Sequence, residues 1–182
     1  MVSIGIVCED GRELYAQSCE FDYRQASAWV KENVLRHLPM CPWAPPSEKE
    51  IPGLYRADRA YHKKYGGQCI DQQRGLIHNC PWRTREQLKR DILSFMDVEA
   101  YGKPELYGWC ASYDFVALCQ LFGTMMDLPA GYPHYICDLQ QTLDERGILD
   151  NMLPKQESGI HNALEDARHT KRLWEWLREQ HE

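Results

Sequence analysis

From Leu106 to Gly147 the sequence twice sets a short apolar, strand-like run directly ahead of a helical pattern, and this order constrains the fold more than any other feature. Leu106 to Ala111 reads as a buried strand, Ser112 as the cap of a helix from about Tyr113 to Phe122, and Gly123 as its stop. Tyr135 to Cys137 reads as a second short strand. It leads into a helix capped by Asp138, with Gln141 at capping-box spacing and Gly147 at its end. Elements in this order belong to α/β folds, in which helices pack against a sheet. The length of 182 residues and 43% hydrophobic content are enough for one domain to close a core, and no internal repeat interrupts it.

The flanking segments fit the same class. Val2 to Cys8 is β-rich, Asp10-Gly11 is a hairpin turn pair, and Leu14 to Ser18 resumes the alternation. Ala26, Trp29, Val30 and Val34 recur at helical spacing over Gln25 to Leu35, which ends before Pro39. Thr84 and Gln87 have capping-box spacing ahead of the stripe Leu88, Ile92, Phe95 and Met96. The last helix is expected from Asn162 to Gln180, with Leu164, Ala167, Trp174 and Leu177 facing inward. Trp29, Trp109, Trp174 and Trp176 read as core or core margin. Between these periodic pieces, residues 39–82 carry Pro39, Pro42, Pro45, Pro46, Pro52 and the Gly66-Gly67 pair with no sustained period, and read as a long irregular insertion.

A formal charge of −6 argues against a surface that coats a nucleic-acid backbone with lysine and arginine. It suits an enzyme that handles phosphodiesters through divalent cations, since the metals then supply the positive charge to clustered carboxylates. No run approaches the ~18 apolar residues of a membrane span, and the N-terminus has no basic region followed by an apolar one, so the expected compartment is the cytoplasm. There the eight cysteines read as thiols or metal ligands in preference to disulfides.

Chemistry concentrates at two places. His161 and Asp166 lie five residues apart, a rotation of about 500° on a continuous helix, so they converge only if His161 stands in the loop before the helix. A carboxylate that holds a cation and an imidazole that accepts a proton from water would then sit together. The alternative is an ordinary helix-start neighbourhood. Asp114 follows the Leu106 to Ala111 strand at its carboxyl end, where ligands of α/β sheets gather, although a helix-start Asp is also favoured by the macrodipole alone.

The stretch Trp109-Cys110-Ala111-Ser112-Tyr113-Asp114-Phe115-Val116-Ala117-Leu118-Cys119-Gln120-Leu121-Phe122-Gly123 resembles the second motif of DEDDh 3′-5′ exonucleases. His161-Asn162-Ala163-Leu164-Glu165-Asp166-Ala167 resembles the third. The likeness is greatest to the small 3′-5′ exoribonucleases of actinobacteria and their phages, and it spans the chain outside the insertion. It implies a ribonuclease-H-like mixed sheet flanked by helices, and two Mg²⁺ or Mn²⁺ ions. Asp114 and Asp166 would be metal ligands and His161 the general base. The substrate would be the single-stranded 3′ end of RNA, released as nucleoside 5′-monophosphates. DNA stays open as a substrate, and a homodimer is compatible with the same likeness.

The family's first motif, Asp-x-Glu on the first and central strand, should precede the opening hairpin, and Glu9 and Asp10 cannot replace it because Asp10-Gly11 is the hairpin tip. The expectation is one exonuclease-like domain over 1–182, incomplete at its N-terminus, with Met1 an internal methionine or the start of a shortened frame. Such a chain lacks two metal ligands; it could be inactive itself, and the rival reading is a catalytically dead RNA-binding or interaction protein. Within the insertion, Cys41-Pro42-Trp43 is echoed by Cys80-Pro81-Trp82, and Cys41, Cys69, His78 and Cys80 could close a structural zinc site. Two buried thiols and a surface histidine are the plainer alternative. Tyr55-Arg56, Arg59 and Tyr61-His62-Lys63-Lys64-Tyr65 interleave aromatic and basic residues as single-strand-binding surfaces do, or as a solvated loop with tyrosine anchors does.

Overall fold

The protein is described by a computed structural model that covers residues 1–38, 62–64, 67–70, 75 and 77–180. Strands β1 (Ser3–Val7) and β2 (Glu13–Ser18) form an antiparallel hairpin in which Ser3 pairs with Gln17 and Val7 with Glu13. Its turn depends on Gly11, at a φ of 89°, and on Asp10, whose Oδ1 accepts a hydrogen bond from the Arg12 amide. Helix α1 (Ala28–Asn33) is capped by Ser27, and strands β3 (Gln68–Ile70) and β4 (Ile77–Asn79) pair antiparallel. Strand β5 (Trp82–Arg83) joins β2 in parallel and completes a mixed sheet of order β1-β2-β5.

Helix α2 (Arg85–Phe95) starts on a complete capping box: Gln87 donates its amide hydrogen to the Thr84 hydroxyl, and the Thr84 amide donates to the Gln87 side chain. Its apolar stripe lies on the sheet, so Leu88, Ile92 and Met96 close a core with Ala16, Leu118, Leu121 and Tyr132. After the short helix α3 (Val98–Tyr101) come two strand-then-helix units. They are β6 (Tyr107–Gly108) with α4 (Ser112–Phe122), and β7 (Cys137–Asp138) with α5 (Leu139–Arg146). β6 and β7 are parallel. The last helix, α6 (Ala163–Glu179), packs against β1, β2 and β6 and so backs both small sheets. The described architecture is therefore mixed α/β: one three-stranded mixed sheet and two two-stranded sheets, one antiparallel and one parallel, flanked by helices.

Several sequence expectations are corrected. The helix expected over Gln25 to Leu35 is divided into a 3₁₀ turn, α1 and a second 3₁₀ turn, and α1 buries none of its residues. Trp29 accordingly is 55% exposed and does not join the core. Ser112 does not cap α4; it is the first helical residue, and the preceding Ala111 is already in a right-handed helical conformation. The Gln141 side chain bonds Glu145 one turn on. The insertion is also less irregular than expected in its described part, because β3, β4 and β5 are too short to print a period on the sequence. Most of it, including Cys41 and the Tyr55 and Arg56 pair, lies outside the described residues.

One glycine fixes how α6 meets the sheet. A Cβ on Gly5 would stand 2.1 Å from the Ala163 carbonyl oxygen and 2.6 Å from the Leu164 Cα, so the start of α6 lies directly on the β1 backbone. Relief requires moving helix backbone, not a flexible side chain. Gly5→Ala is expected to cost about 1–3 kcal/mol, as overpacking does, and a chemical denaturation curve measures it; an unchanged midpoint would show that α6 can shift freely.

Candidate active site

Asp114 reaches the site because β6 ends abruptly. Cys110 takes a φ of 49°, a left-handed conformation unusual for a side-chain-bearing residue, and turns the chain from β6 into α4. The buried Ala111 that follows donates its amide hydrogen to Asp138 Oδ2 at 2.8 Å. Asp114 then stands in the first turn of α4. Asp138 also caps α5, its Oδ1 accepting from the Gln140 amide at 3.0 Å. One carboxylate thus ties the start of α4 to the start of α5. Asp138→Ala removes an ionised acceptor from two amides and is expected to lower stability by about 1–3 kcal/mol, with Asp138→Asn losing less; equal stability of wild type and the alanine variant would remove Asp138 from this role.

The second arm comes from α6. Asn162 caps it, its Oδ1 accepting from the Leu164 and Glu165 amides, and Asp166 emerges on the first turn. His161 immediately precedes the cap with a φ of 70°. Its backbone amide donates to Asp166 Oδ1 at 3.2 Å, and Gln156 Nε2 donates to the same oxygen at 2.9 Å. Among the described residues no donor meets Asp166 Oδ2. The His161 ring meets Trp29 edge to face, with centroids 4.8 Å apart. The two non-glycine residues of positive φ among those described, Cys110 and His161, both stand next to the acidic residues, a placement typical of backbone strain kept at functional sites.

Asp114, His161 and Asp166 line one open cleft of about 1690 Å³, together with Gly5 of β1, Tyr107 of β6 and Gln156. The Asp114 residue is exposed at the cleft mouth, yet the surrounding walls take enough water from its carboxyl to raise its pKa above the ordinary 3.8; the negative charges of Asp166 and then Asp138 add to the rise. His169, one turn beyond Asp166 on α6, is shifted the other way: burial, then Arg172, lowers its pKa, and Asp166 opposes the change. Three carboxylates therefore share an electrostatic neighbourhood at the carboxyl ends of β6 and β7 and the start of α6. Their hard oxygen donors suit Mg²⁺ or Mn²⁺ better than softer metals.

A raised carboxyl pKa has a definite sign for stability. The folded state favours the protonated form, so the advantage is complete below the unfolded pKa and is lost as pH climbs through the raised folded value. At neutral pH the Asp114 charge opposes folding. In EDTA, Asp114→Asn should raise the Tm at pH 7, and the difference from wild type should shrink as pH falls below 3.8; a lower Tm for the variant at pH 7 would contradict the crowding of these carboxylates.

Sequence reasoning placed Asp138 only as a helix cap, although it stands at the carboxyl end of a strand by the same rule that singled out Asp114. It missed Trp29 as a neighbour of His161 and Gln156 as a partner of Asp166; neither carries a local signal, because both contacts form between separate segments.

An α/β chain that gathers carboxylates on a cleft at its strand ends has the layout of an α/β enzyme. Comparison narrows the class: residues 1–177 match the profile described as the 3′-5′ exoribonuclease Rv2179c-like domain, and the chain belongs to that family. It is 34% identical over 168 residues to the 3′-5′ exoribonuclease Rv2179c of Mycobacterium tuberculosis (strain ATCC 25618 / H37Rv), across 92% of this chain and 77% of the relative. The same figures hold for the 3′-5′ exoribonuclease MT2234.1 of Mycobacterium tuberculosis (strain CDC 1551 / Oshkosh).

Proposed function

We propose that this chain is a 3′-5′ exoribonuclease of the DEDDh class that hydrolyses the terminal phosphodiester of single-stranded RNA and releases nucleoside 5′-monophosphates. The observation that carries this reading is the meeting of Asp114 and Asp166 on one cleft with His161 at its rim, in a chain of this family. Divalent ions held by Asp114 and Asp166 would supply positive charge to the phosphate oxygens and lower the pKa of water at the site. The site fits such ions, since a cation would favour the charged form of Asp114 against the burial that first raises its pKa and the repulsion from Asp166 and Asp138 that adds to it.

The chain's own groups divide the remaining work. Asp166 is oriented through Oδ1 by Gln156 and the His161 amide, which leaves Oδ2 to face a cation. His161 presents an exposed imidazole and acts as general base, accepting the proton of the attacking water. Trp29 limits the swing of that ring. The nucleophile approaches phosphorus opposite the leaving 3′ oxygen, and the P–O3′ bond breaks to leave the phosphate on the departing nucleotide.

The DEDDh class draws two further carboxylates from an Asp-x-Glu strand. In the described sheet β1 is an edge strand paired with β2, and residues of β1 and of β6 both line the cleft. A strand between them would join the two small sheets into the ribonuclease-H-like sheet and lend the open edge of β1 a partner. The same reading puts the protein in the cytoplasm; among the described residues no helix is long and apolar enough to cross a membrane.

The test uses 5′-labelled RNA and the same sequence in DNA, with Mg²⁺, Mn²⁺ or EDTA. It is run on this chain and on a version with an Asp-x-Glu strand joined ahead of Met1. Stepwise shortening from the 3′ end with 5′-monophosphate products, in metal and not in EDTA, is the expected result. Activity only in the extended version would assign the two further carboxylates to that strand. RNA binding without hydrolysis in both versions would overturn the enzyme reading in favour of a catalytically inactive RNA-binding protein.

A further inference from the structure

Away from the cleft, the insertion brings His62, Cys69 and Cys80 together in the interior. All three are buried, with relative exposures of 0%, 0% and 4%. One ligand atom from each lies within 4.8 Å of the other two. They arrive from different pieces of chain: His62 from the helical turn at 62–64, Cys69 from β3, and Cys80 from the residue that follows β4. The β3–β4 hairpin closes on the 2.7 Å hydrogen bond from the Cys80 amide to the Gly67 carbonyl, which brings Cys80 beside Cys69. The His62 carbonyl is held at 3.0 Å by Gln87 Nε2, from the capping box of α2. The walls are Cys19, Trp82, Phe21 and Leu38.

A histidine and two thiols side by side in the interior have a chemistry in common. One nitrogen and two sulfur donors are the ligand types of zinc, not of the oxygen-seeking ions suited to the cleft. The separation agrees as well. His62 Nε2 and Cys80 Sγ are 3.5 Å apart; ligands at ~2.0 Å and ~2.3 Å on a tetrahedral zinc are about 3.5 Å from each other.

We propose that His62, Cys69 and Cys80 are three ligands of a structural Zn²⁺ that fastens the insertion to β5 and to the start of α2. Binding displaces the two thiol protons to solvent and takes the neutral imidazole through Nε2; no electron is transferred. The fourth corner falls to another ligand or water, and Cys41, the candidate the sequence offers, lies outside the described residues. The assignment brings in His62, which the sequence pattern had placed with the RNA-stacking residues. It is independent of the exonuclease reading, because none of its ligands lines the cleft.

Metal analysis of protein purified without chelator is expected to find about one zinc per chain, retained after dialysis against the EDTA that strips the cleft. Cys69→Ser, Cys80→Ser and His62→Ala should each reduce zinc at least about tenfold, the lower range for loss of a ligand-supporting group. Cys19→Ser, in the same apolar cluster, and Asp166→Asn, in the cleft, should keep it. To separate loss of the metal from loss of the fold in the ligand variants, wild-type protein is also reloaded with Co²⁺, where a thiolate-to-cobalt charge-transfer band and intense visible bands mark a tetrahedral sulfur site. Zinc-free wild type that takes up neither metal, a Cys69–Cys80 disulfide in the native protein, or full zinc content in the ligand variants would each overturn the proposal.

Discussion

Asp166→Asn should lower Mg²⁺-dependent nucleotide release by about 10²–10³-fold or more, because a metal-held charge at the phosphate is worth several kcal/mol in the transition state. The amide keeps the size of the side chain and an oxygen for Gln156 and the His161 amide, so the loss isolates the charge from the packing. Asp114→Asn should lose activity to the same extent while gaining stability in EDTA, since the carboxyl it replaces is desolvated by its surroundings and, next, crowded by Asp166 and Asp138. Opposite signs for activity and stability at one residue are the pattern expected when a fold holds like charges together for a cation. Single-turnover rates and thermal melts on the same preparations check both. Wild-type rates in either variant would mean that the likeness to the second and third exonuclease motifs is accidental.

His161→Ala should slow hydrolysis by about 10²–10⁴-fold, the usual contribution of a positioned general base. The loss should fall on kcat, whereas substrate KM should change little. The ring lies at the cleft rim against Trp29, on a residue of positive φ whose amide is committed to Asp166. The backbone therefore anchors the residue while the ring stays available to the solvent side. Trp29→Ala offers a graded comparison: it frees the ring without removing the base, so it should lower kcat modestly. A variant His161→Ala with unchanged rate would assign the proton transfer elsewhere.

Much of the local structure was legible in the sequence because its signals are short-range. The Asp10-Gly11 hairpin, the Thr84–Gln87 capping box, the Asp138 cap and the Gly147 stop each depend on residues within a few positions of one another. Two strand-then-helix units in succession were enough to set the α/β class, and their strand ends pointed to Asp114. His161 and Asp166 were readable as a pair because five residues can meet only across a helix start. These are determined by local backbone geometry and survive without knowledge of the rest of the chain.

Tertiary structure decided everything that joins distant segments. Asp138 lies 24 positions from Asp114 in sequence, and only the parallel pairing of β6 with β7 brings it to the same electrostatic neighbourhood. Trp29 looked like a core residue from its helical spacing, but the short α1 offers the core no buried face, and the ring finds His161 instead. His62 sat within an aromatic and basic pattern that suggested RNA contact; its burial against Cys69 and Cys80 follows from the β3–β4 hairpin and the grip of Gln87 on its carbonyl. Periodicity records which side of an element is apolar. It carries no record of which other element that side will meet, and that choice is made by the packing of the whole chain.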